Sequence, residues 1–408
     1  MTMRVSARAF LLAAAAFAAG CGDPSEGDSN SVVAGSSAGS AQADSLFDPS
    51  VVHDIHLTMS PADWQSILND SMGDTFRPAS VQWREHVAHN VGVRPRGHST
   101  RHPGNPKFSL KIEMDAFVPD QEFLGLDEIK LDGLREPTQM REHLAYALFR
   151  EMGLAAPRTA YCRLFVNGEH RGVYLIEEAV NRDLVKHRYG KEQGNLYHVY
   201  VGNPESYSYL GSSPSLYIPR PWGAETNLDG DHSIVPRFLD ILNHRTAELD
   251  GIAEVEHLII FLALEVALCS RDTLLRDDVS PQNHFTYWRP STGRFTFIPW
   301  DLDQCLTNSR AFLSMWHNFH HSAVTRVVQN TPALNARFRQ KVSDVIEQVT
   351  HPDRMAVRID ALYQQIRGPL HADPYKLPTN SELDTYPSYL KGVFRSRYDS
   401  LRAELQVQ

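Results

Sequence analysis

One stretch of this chain, residues 276–303, constrains its fold more than any other. It contains two runs rich in aromatic and β-branched residues, 284–288 and 294–298, separated by the sequence Pro-Ser-Thr-Gly at 290–293. Two β-forming runs joined through a turn of this composition predict a β-hairpin. Such a hairpin would place the loop that precedes it next to the loop that follows it.

Both of these loops carry polar side chains. Asp278 is followed five positions later by Asn283, and Asp301 and Asp303 come after the second run. Carboxylate and amide oxygens suit Mg²⁺, which uses one or two protein carboxylates and completes its shell with substrate phosphates. Protein kinases use a loop Asp to accept the hydroxyl proton, an Asn five residues on to hold metal, and a later Asp to hold metal again. The alternative is that Asp278 caps a turn and the other groups are solvated.

Composition limits the function classes. The 408 residues suffice for one large domain or two ordinary ones, and 42% hydrophobic with 22% charged residues is typical of a folded soluble protein. The net charge of −9 argues against a nucleic-acid-binding surface. A pocket that binds ATP in such a chain must be locally basic.

The N-terminus has the pattern of an export signal. Arg4 and Arg8 precede an apolar run at 9–19, which is followed by Gly20 and Cys21. Residues 18–21 are similar to the bacterial lipoprotein box, so residues 1–20 are predicted to be removed and Cys21 to be lipidated. The alternative is an ordinary secreted protein. Either way the predicted location is the bacterial cell envelope.

The following residues, 21–47, are rich in Ser, Gly and Ala and predict a flexible linker. Beyond Cys21 the chain has Cys162, Cys269 and Cys305, an odd number without zinc-site spacing. We expect buried free thiols, although one disulfide remains open outside the cytoplasm.

The first half of the chain has the pattern of a β-rich part with one inserted helix. Strands are predicted at 51–57, 81–94, 107–112, 129–134, 161–166 and 171–177. One helix is predicted to begin at Pro61, and a second is predicted at 138–152. Thr138 is the expected N-cap of the second helix, and Asn167-Gly168 predicts a tight hairpin turn. Four cations in this part lie within eighteen residues: Arg94, Arg96, Lys107 and Lys111. With Ser99 they predict either a phosphate clamp or a solvated basic strand face.

The second half has mainly helical periodicity. Helices are predicted at 181–189, 255–269, 334–349, 355–367 and 388–405, and residues 201–232 predict an irregular insertion.

Five segments in order resemble the CotH family, the spore-coat protein H kinases. They are Arg-Gly-His-Ser at 96–99, Lys-Phe-Ser-Leu-Lys at 107–111, Met-Arg-Glu-His-Leu at 140–144, the Asn-Gly hairpin at 166–174, and the run from Asn283 to Pro-Trp-Asp-Leu-Asp at 299–303. The resemblance implies an α+β, protein-kinase-like two-lobe fold. Its N-lobe would span 48–178, β-rich with an inserted helix, and its mainly helical C-lobe would span 179–408.

The resemblance also implies roles for individual residues. Asp278 is the expected general base, Lys107 or Lys111 would contact ATP phosphates beside Arg96 and Ser99, and Glu142 would pair with that lysine. Residues 175–178, including Ile176 and Glu178, would form the adenine hinge. Asn283 and Asp301 would hold Mg²⁺ or Mn²⁺, with Asp303 as a further metal group. The chain lacks a G-x-G-x-x-G loop, and Arg-Asp-Asp at 276–278 replaces the usual His-Arg-Asp.

These features predict a surface or secreted kinase that transfers the ATP γ-phosphoryl to Ser or Thr hydroxyls of a protein partner. It would contact the membrane through its lipid anchor alone. Two alternatives stay open: a non-catalytic structural or adhesion protein on a kinase-like scaffold, and a nucleotidyl transferase.

Overall fold

A computed structural model describes residues 38–70, 72–97, 101, 107–191, 193–277 and 280–406. The strands, in chain order, are β1 (Val52–Met59), β2 (Arg77–Trp83), β3 (His86–Pro95), β4 (Leu110–Glu113), β5 (Glu128–Asp132), β6 (Thr159–Val166), β7 (Glu169–Glu178), β8 (Asn195–Val199), β9 (Trp222–Ala224), β10 (His284–Arg289) and β11 (Arg294–Pro299). The helices are α1 (Ala38–Leu46), α2 (Pro61–Asn69), α3 (Arg141–Glu151), α4 (Arg182–Tyr189), α5 (Ile234–His244), α6 (Val255–Ala267), α7 (Ala323–Asn330), α8 (Pro332–Asp344), α9 (Pro352–His371) and α10 (Asn380–Gln406).

The first seven strands close into a barrel in the order β1-β2-β3-β4-β5-β7-β6. Alternating residues of β1 and β2 point inward and form a hydrophobic core with those of β3 to β7. The β6–β7 hairpin turns at Asn167 and Gly168, whose φ angles of +51° and +81° are those that an Asn-Gly turn adopts readily. The predicted β-rich N-terminal part is confirmed.

The inserted helix α3 lies between β5 and β6, close to its predicted position. The prediction that Thr138 caps it is wrong. The buried Glu136 carboxylate accepts the backbone N–H groups of Thr138 at 2.8 Å and Arg141 at 3.0 Å, because its longer side chain reaches the first turn. The apolar side of α3, with Leu144 and Phe149, packs into the larger hydrophobic core of the C-terminal part.

The C-terminal part combines helices with a four-stranded sheet in the order β11-β10-β8-β9. The predicted hairpin is present as β10 and β11, with His284 opposite Pro299 and Arg289 opposite Arg294. Helix α6 is buried along nearly its whole length. The region predicted to be irregular, 201–232, contributes β9, and the sequence reading missed α5 and α7. The α+β class of the prediction is confirmed.

The predicted flexible linker at 21–47 is partly folded. Residues 38–46 form α1, and Ala43, Leu46 and Phe47 are buried against the core of the barrel. Three apolar side chains therefore fix the end of a segment whose Ser/Gly/Ala composition predicted flexibility.

Two smaller findings concern the thiols and the membrane. Cys162, Cys269 and Cys305 are buried free cysteines, as expected. In the part of the chain that the structure describes, no helix combines the length and the apolar character needed to cross a membrane.

The contribution of α1 can be measured with one substitution. Leu46 is completely buried, so Leu46→Ala should lower the free energy of unfolding by about 2–4 kcal/mol, the usual cost of a large-to-small change in a core. Leu228 is 68% exposed, and Leu228→Ala should leave stability unchanged. Urea unfolding of both variants measures the difference. Equal midpoints would mean that α1 does not pack as described.

Candidate active site

The mouth of the β10–β11 hairpin brings two predicted site segments together. The backbone N–H of Trp300 donates to the carbonyl of Asn283 at 3.2 Å. Asn283 and Asp301 both have left-handed backbone conformations, with φ of +52° and +53°, a region that Asn and Asp adopt more readily than most residues. The amide of residue 283 and the carboxylate of residue 301 therefore leave the hairpin from adjacent positions.

A group of carboxylates, which we name the acidic cluster, surrounds Asp301. Its members come from β5, α3, β7 and the segment after β11: Asp132, Glu142, Glu177, Asp301 and Asp303. Burial, followed by the charge of Glu177, raises the pKa of Glu142 well above its usual value. Burial, followed by the charge of Asp303, has the same effect on the pKa of Asp301. Burial and the charge of Asp132 raise the pKa of Asp303 to about 7. The cluster therefore carries more negative charge than its surroundings neutralise.

Hydrogen bonds fix the geometry of this cluster. Arg96 donates to Glu177 Oε2 at 2.6 Å, and the Tyr146 hydroxyl donates to Glu177 Oε1 at 3.0 Å. The same hydroxyl accepts the backbone N–H of Asp301 at 3.0 Å. The backbone N–H of Leu302 donates to Glu142 Oε1 at 3.3 Å. Helix α3 thus holds the segment after β11 through Tyr146 and Glu142.

Lys130 is a second cation beside the cluster. It lies opposite Glu177 in the β5–β7 pairing, with its Nζ 4.1 Å from the centroid of the Trp300 ring and 3.5 Å from Glu128. Burial lowers the pKa of Lys130, against the opposing effect of Glu128, and Arg96 adds repulsion. A half-buried ammonium of this kind is suited to an anionic ligand.

Asp272 organises the loop before the hairpin. Its Oδ2 accepts from the Asn283 side-chain amide at 3.0 Å, and its Oδ1 accepts from Gln282 at 2.7 Å and pairs with Arg276 at 3.2 Å. Because the Asn283 nitrogen is the donor here, its amide oxygen is the atom left for a cation. The charge of Asp272 also raises the pKa of Asp303, although less than burial does, which places it beside the acidic cluster.

The donor set fits a hard divalent cation. Carboxylate and amide oxygens are the ligands that Mg²⁺ and Mn²⁺ accept, and the raised pKa values of the cluster indicate negative charge that such an ion would neutralise. No three His, Cys, Asp or Glu side chains within the described residues are already arranged to hold a metal ion. The predicted ligand set also includes the Asn283 amide and substrate phosphates, which are not His, Cys, Asp or Glu side chains.

Sequence comparison relates these residues to known proteins. Residues 93–401 match the profile of the family described as CotH kinase protein, which is well over half of the chain. This chain belongs to the CotH family. It is 23% identical over 368 residues to the inner spore coat protein H of Bacillus subtilis (strain 168), covering 86% of this chain and 97% of that protein.

Structure comparison finds a similarity to a solved protein. The crystal structure of the Helicobacter pylori proinflammatory kinase CtkA matches 72% of this chain and 94% of that chain at 13% identity, with a TM-score of 0.29. So distant a match carries no argument about residues. The CotH assignment and the observed α+β architecture together agree with the predicted kinase-like fold.

The structure places the two lysines expected from the CotH resemblance in other environments. Lys107 is buried with its Nζ 2.6 Å from Asp373 Oδ2. Lys111 lies 2.7 Å from Glu113 and 3.0 Å from Glu128. Each ammonium group is therefore paired with a carboxylate of the protein, and the phosphate contact expected of Lys107 or Lys111 stays a prediction.

The structure places the expected adenine hinge at the end of a paired strand. Ile176 lies inside the sheet, opposite Leu131 on one side and Ala160 on the other, so its backbone is committed to strand pairing. The carboxylate of Glu178 is buried and pairs with Arg158 at 2.6 Å. The chain leaves the sheet only after Glu178. Three further predicted residues, Ser99, Asp278 and Cys21, lie outside the described residues.

Sequence reasoning assigned no role to Asp132, Lys130, Tyr146 or Asp272, and it placed Glu177 only within the expected hinge. For Asp132 and Lys130 the sequence contained a pattern that could have identified them. Residues 128–132 read Glu-Ile-Lys-Leu-Asp, and this alternation puts Lys130 and Asp132 on one face of a strand whose other face is buried. The other three become visible only when β7, α3 and the loop before the hairpin meet.

Proposed function

We propose that this CotH protein is a metal-dependent protein kinase that transfers the γ-phosphoryl of ATP to Ser or Thr hydroxyls of a protein. The observation that carries the proposal is the under-neutralised acidic cluster, with Arg96 and Lys130 at its edge. Phosphoryl transfer depends mostly on positioning and on neutralising phosphate charge. A site with excess carboxylates and two flanking cations supports binding of a metal–triphosphate complex.

Each residue in this proposal has one task. Asn283 and Asp301 would hold Mg²⁺ or Mn²⁺, with Asp303 beside them, and the ion would neutralise the phosphate oxygens when bound. Arg96 and Lys130 would contact the phosphates, in place of Lys107 and Lys111. Ser99, predicted from the sequence, would contact them as well. Asp278 stays the proposed base. The adenine is proposed to meet the chain after Glu178, because the backbone of Ile176 is occupied.

The decisive experiment incubates the full chain and candidate protein substrates with isotopically labelled ATP and Mg²⁺ or Mn²⁺, followed by mass spectrometry. We expect a mass increase of one phosphoryl group on Ser or Thr. A nucleotide adduct would establish the nucleotidyl transferase instead. No modification, together with no metal-dependent ATP binding in a thermal-shift titration, would leave the non-catalytic scaffold.

Asp272 offers a test of how Asn283 is held. Asp272→Asn removes the charge that accepts the amide, so we expect the rate to fall about 10–100-fold and the metal concentration for half-maximal activity to rise. High Mn²⁺ should restore part of the rate, which a merely destabilised protein would not show. Asp229 is exposed, and Asp229→Asn serves as the matched control. An unchanged metal dependence would remove Asp272 from the proposal.

We further propose that the protein is held at the cell envelope by a lipid on Cys21. The related protein from Bacillus subtilis is described as an inner spore coat protein, and residues 18–21 of this chain are similar to the bacterial lipoprotein box. Labelling cells with radioactive palmitate should mark the wild-type protein and leave Cys21→Ser unmarked. Persistent labelling of the variant would refute lipidation at this residue.

A further inference from the structure

A second charged pocket lies between the end of α1 and the C-terminal end of α3. Its volume is about 540 Å³, and three guanidinium groups line it: Arg150, Arg158 and Arg188. Asp44 of α1 lines the same space. We call it the arginine pocket. Its volume falls within the roughly 300–1,000 Å³ that small-molecule sites occupy.

Two of these arginines have neutral partners. Arg150 donates to the carbonyl of Pro157, and Arg188 donates to the carbonyl of Ala156 at 3.1 Å. Within the described residues, no carboxylate lies at ion-pair distance from either side chain. The buried Nε atoms of Arg158 and Arg188 have no hydrogen-bond partner in that part of the chain either. Arg150 and Arg188 therefore line the pocket without a carboxylate partner among the described residues.

Arg158 is the exception, because it is shared between two acids. It pairs with Glu178 at 2.6 Å and with Asp44 of α1. The Asp44 carboxylate also lies 3.8 Å from His187. A carboxylate of the protein itself thus enters the arginine pocket from a helix at the edge of the fold.

We propose that the arginine pocket binds a phosphate group, as inorganic phosphate or as a phosphate monoester, and that Asp44 is its resident competitor. Guanidinium groups match phosphate oxygens through paired, charge-assisted hydrogen bonds. A dianion between Arg150 and Arg188 would supply the negative charge that these residues lack. Burial lowers the pKa of Arg150 to about 10, with repulsion from Arg188 in the same direction, as expected for guanidinium groups short of counter-charge. This site is separate from the acidic cluster and does not depend on the kinase reaction.

The test titrates the full chain with inorganic phosphate and, separately, with O-phosphoserine, at constant ionic strength, by calorimetry. We expect saturable binding of at least one of them. Arg188→Gln should weaken it about tenfold, the loss expected for a charge-assisted contact. Asp44→Asn should tighten it by removing the competitor. Arg182→Gln is the matched control, because this residue is on the same helix with its side chain 78% exposed.

The outcomes separate the sources and the site. Binding of inorganic phosphate alone identifies the free ion, and preferential binding of phosphoserine identifies a monoester. No binding of either anion, or binding that neither Arg188→Gln nor Asp44→Asn alters, overturns the proposal. Because Asp44→Asn must increase affinity, a variant that merely unfolds cannot imitate the expected result.

Discussion

Asp301→Asn should abolish phosphoryl transfer while leaving the fold intact. Asp301 lies at the mouth of the hairpin, where its carboxylate is the proposed metal ligand next to the triphosphate. A bound metal stabilises the developing charge by several kcal/mol, so the rate should fall roughly 10³-fold or more. The measurement is transfer of labelled phosphoryl groups under saturating ATP and Mn²⁺.

The stability of this variant makes the test specific. The charge of Asp303 raises the pKa of Asp301, after burial, so removing one charge relieves repulsion and the melting temperature should stay unchanged or rise. Asp229→Asn, an exposed substitution of the same kind, should retain full activity. A large loss of stability in Asp301→Asn would assign this carboxylate a structural role. Retained activity would remove it from the metal site.

Without metal, the protein should lose stability as the pH rises from 6.5 to 8.5. The pKa of Asp303 is raised to about 7 by burial and then by Asp132, and those of Glu142 and Asp301 are raised as well. The folded state holds these protons more tightly than the unfolded chain, so each contribution is complete below the unfolded pKa of the group. The contribution of Asp303 is lost as the pH rises through about 7. Denaturant unfolding at several pH values measures this trend.

Buried histidines oppose this trend near pH 6.5, where the unfolded chain is still partly protonated at these side chains. Burial lowers the pKa of His198 to about 3 and that of His284 to about 4, so their contribution is complete above the unfolded value of about 6.5. Glu265, whose pKa burial raises to about 8, acts in the same direction as the cluster. Asp303→Asn distinguishes the effect of Glu265 from that of the acidic cluster, because only the contribution of the cluster to the pH dependence of stability should shrink in this variant.

Divalent metal should reverse this loss. Mg²⁺ or Mn²⁺ at a hundredfold excess over its Kd should add about 2.7 kcal/mol at pH 8.5. The gain should be smaller at pH 6.5, where protons compete for the same carboxylates. An equal gain at both pH values, or an equal gain in Asp301→Asn, would place the ion elsewhere.

Local patterns were sufficient for most of the fold. The Asn167-Gly168 turn requires positive φ angles, and the structure has them there. The apolar run that predicted a central helix became α6, which is buried on nearly all sides. The failures occurred where tertiary contacts override composition. Leu46 and Phe47 fold a segment of linker composition, and the Glu136 side chain replaces the expected Thr138 cap.

Only part of the candidate site could be predicted from the sequence. Asn283, Asp301 and Asp303 were identified because the hairpin between them can be read from the sequence. The partners of the predicted cations could not be read in advance, because a strand alternates between two faces and four nearby cations do not reveal which face meets the site. Lys107 donates a hydrogen bond to Asp373, which is 266 positions away in the chain, whereas Lys130 lies over the ring of Trp300.

Sequence alone was sufficient to predict the β-hairpin, the inserted helix, the family and the pair of loops that carry Asn283 and Asp301. These features depend on periodicity and turn chemistry over a few residues. The charges that face one another depend on the folded chain: Glu142, Glu177 and Asp132 lie around Asp301, and Asp272 lies beside Asn283. Electrostatic energy depends on distance in space, and residues more than 100 positions apart in the chain become neighbours only when the barrel and the helical part pack together.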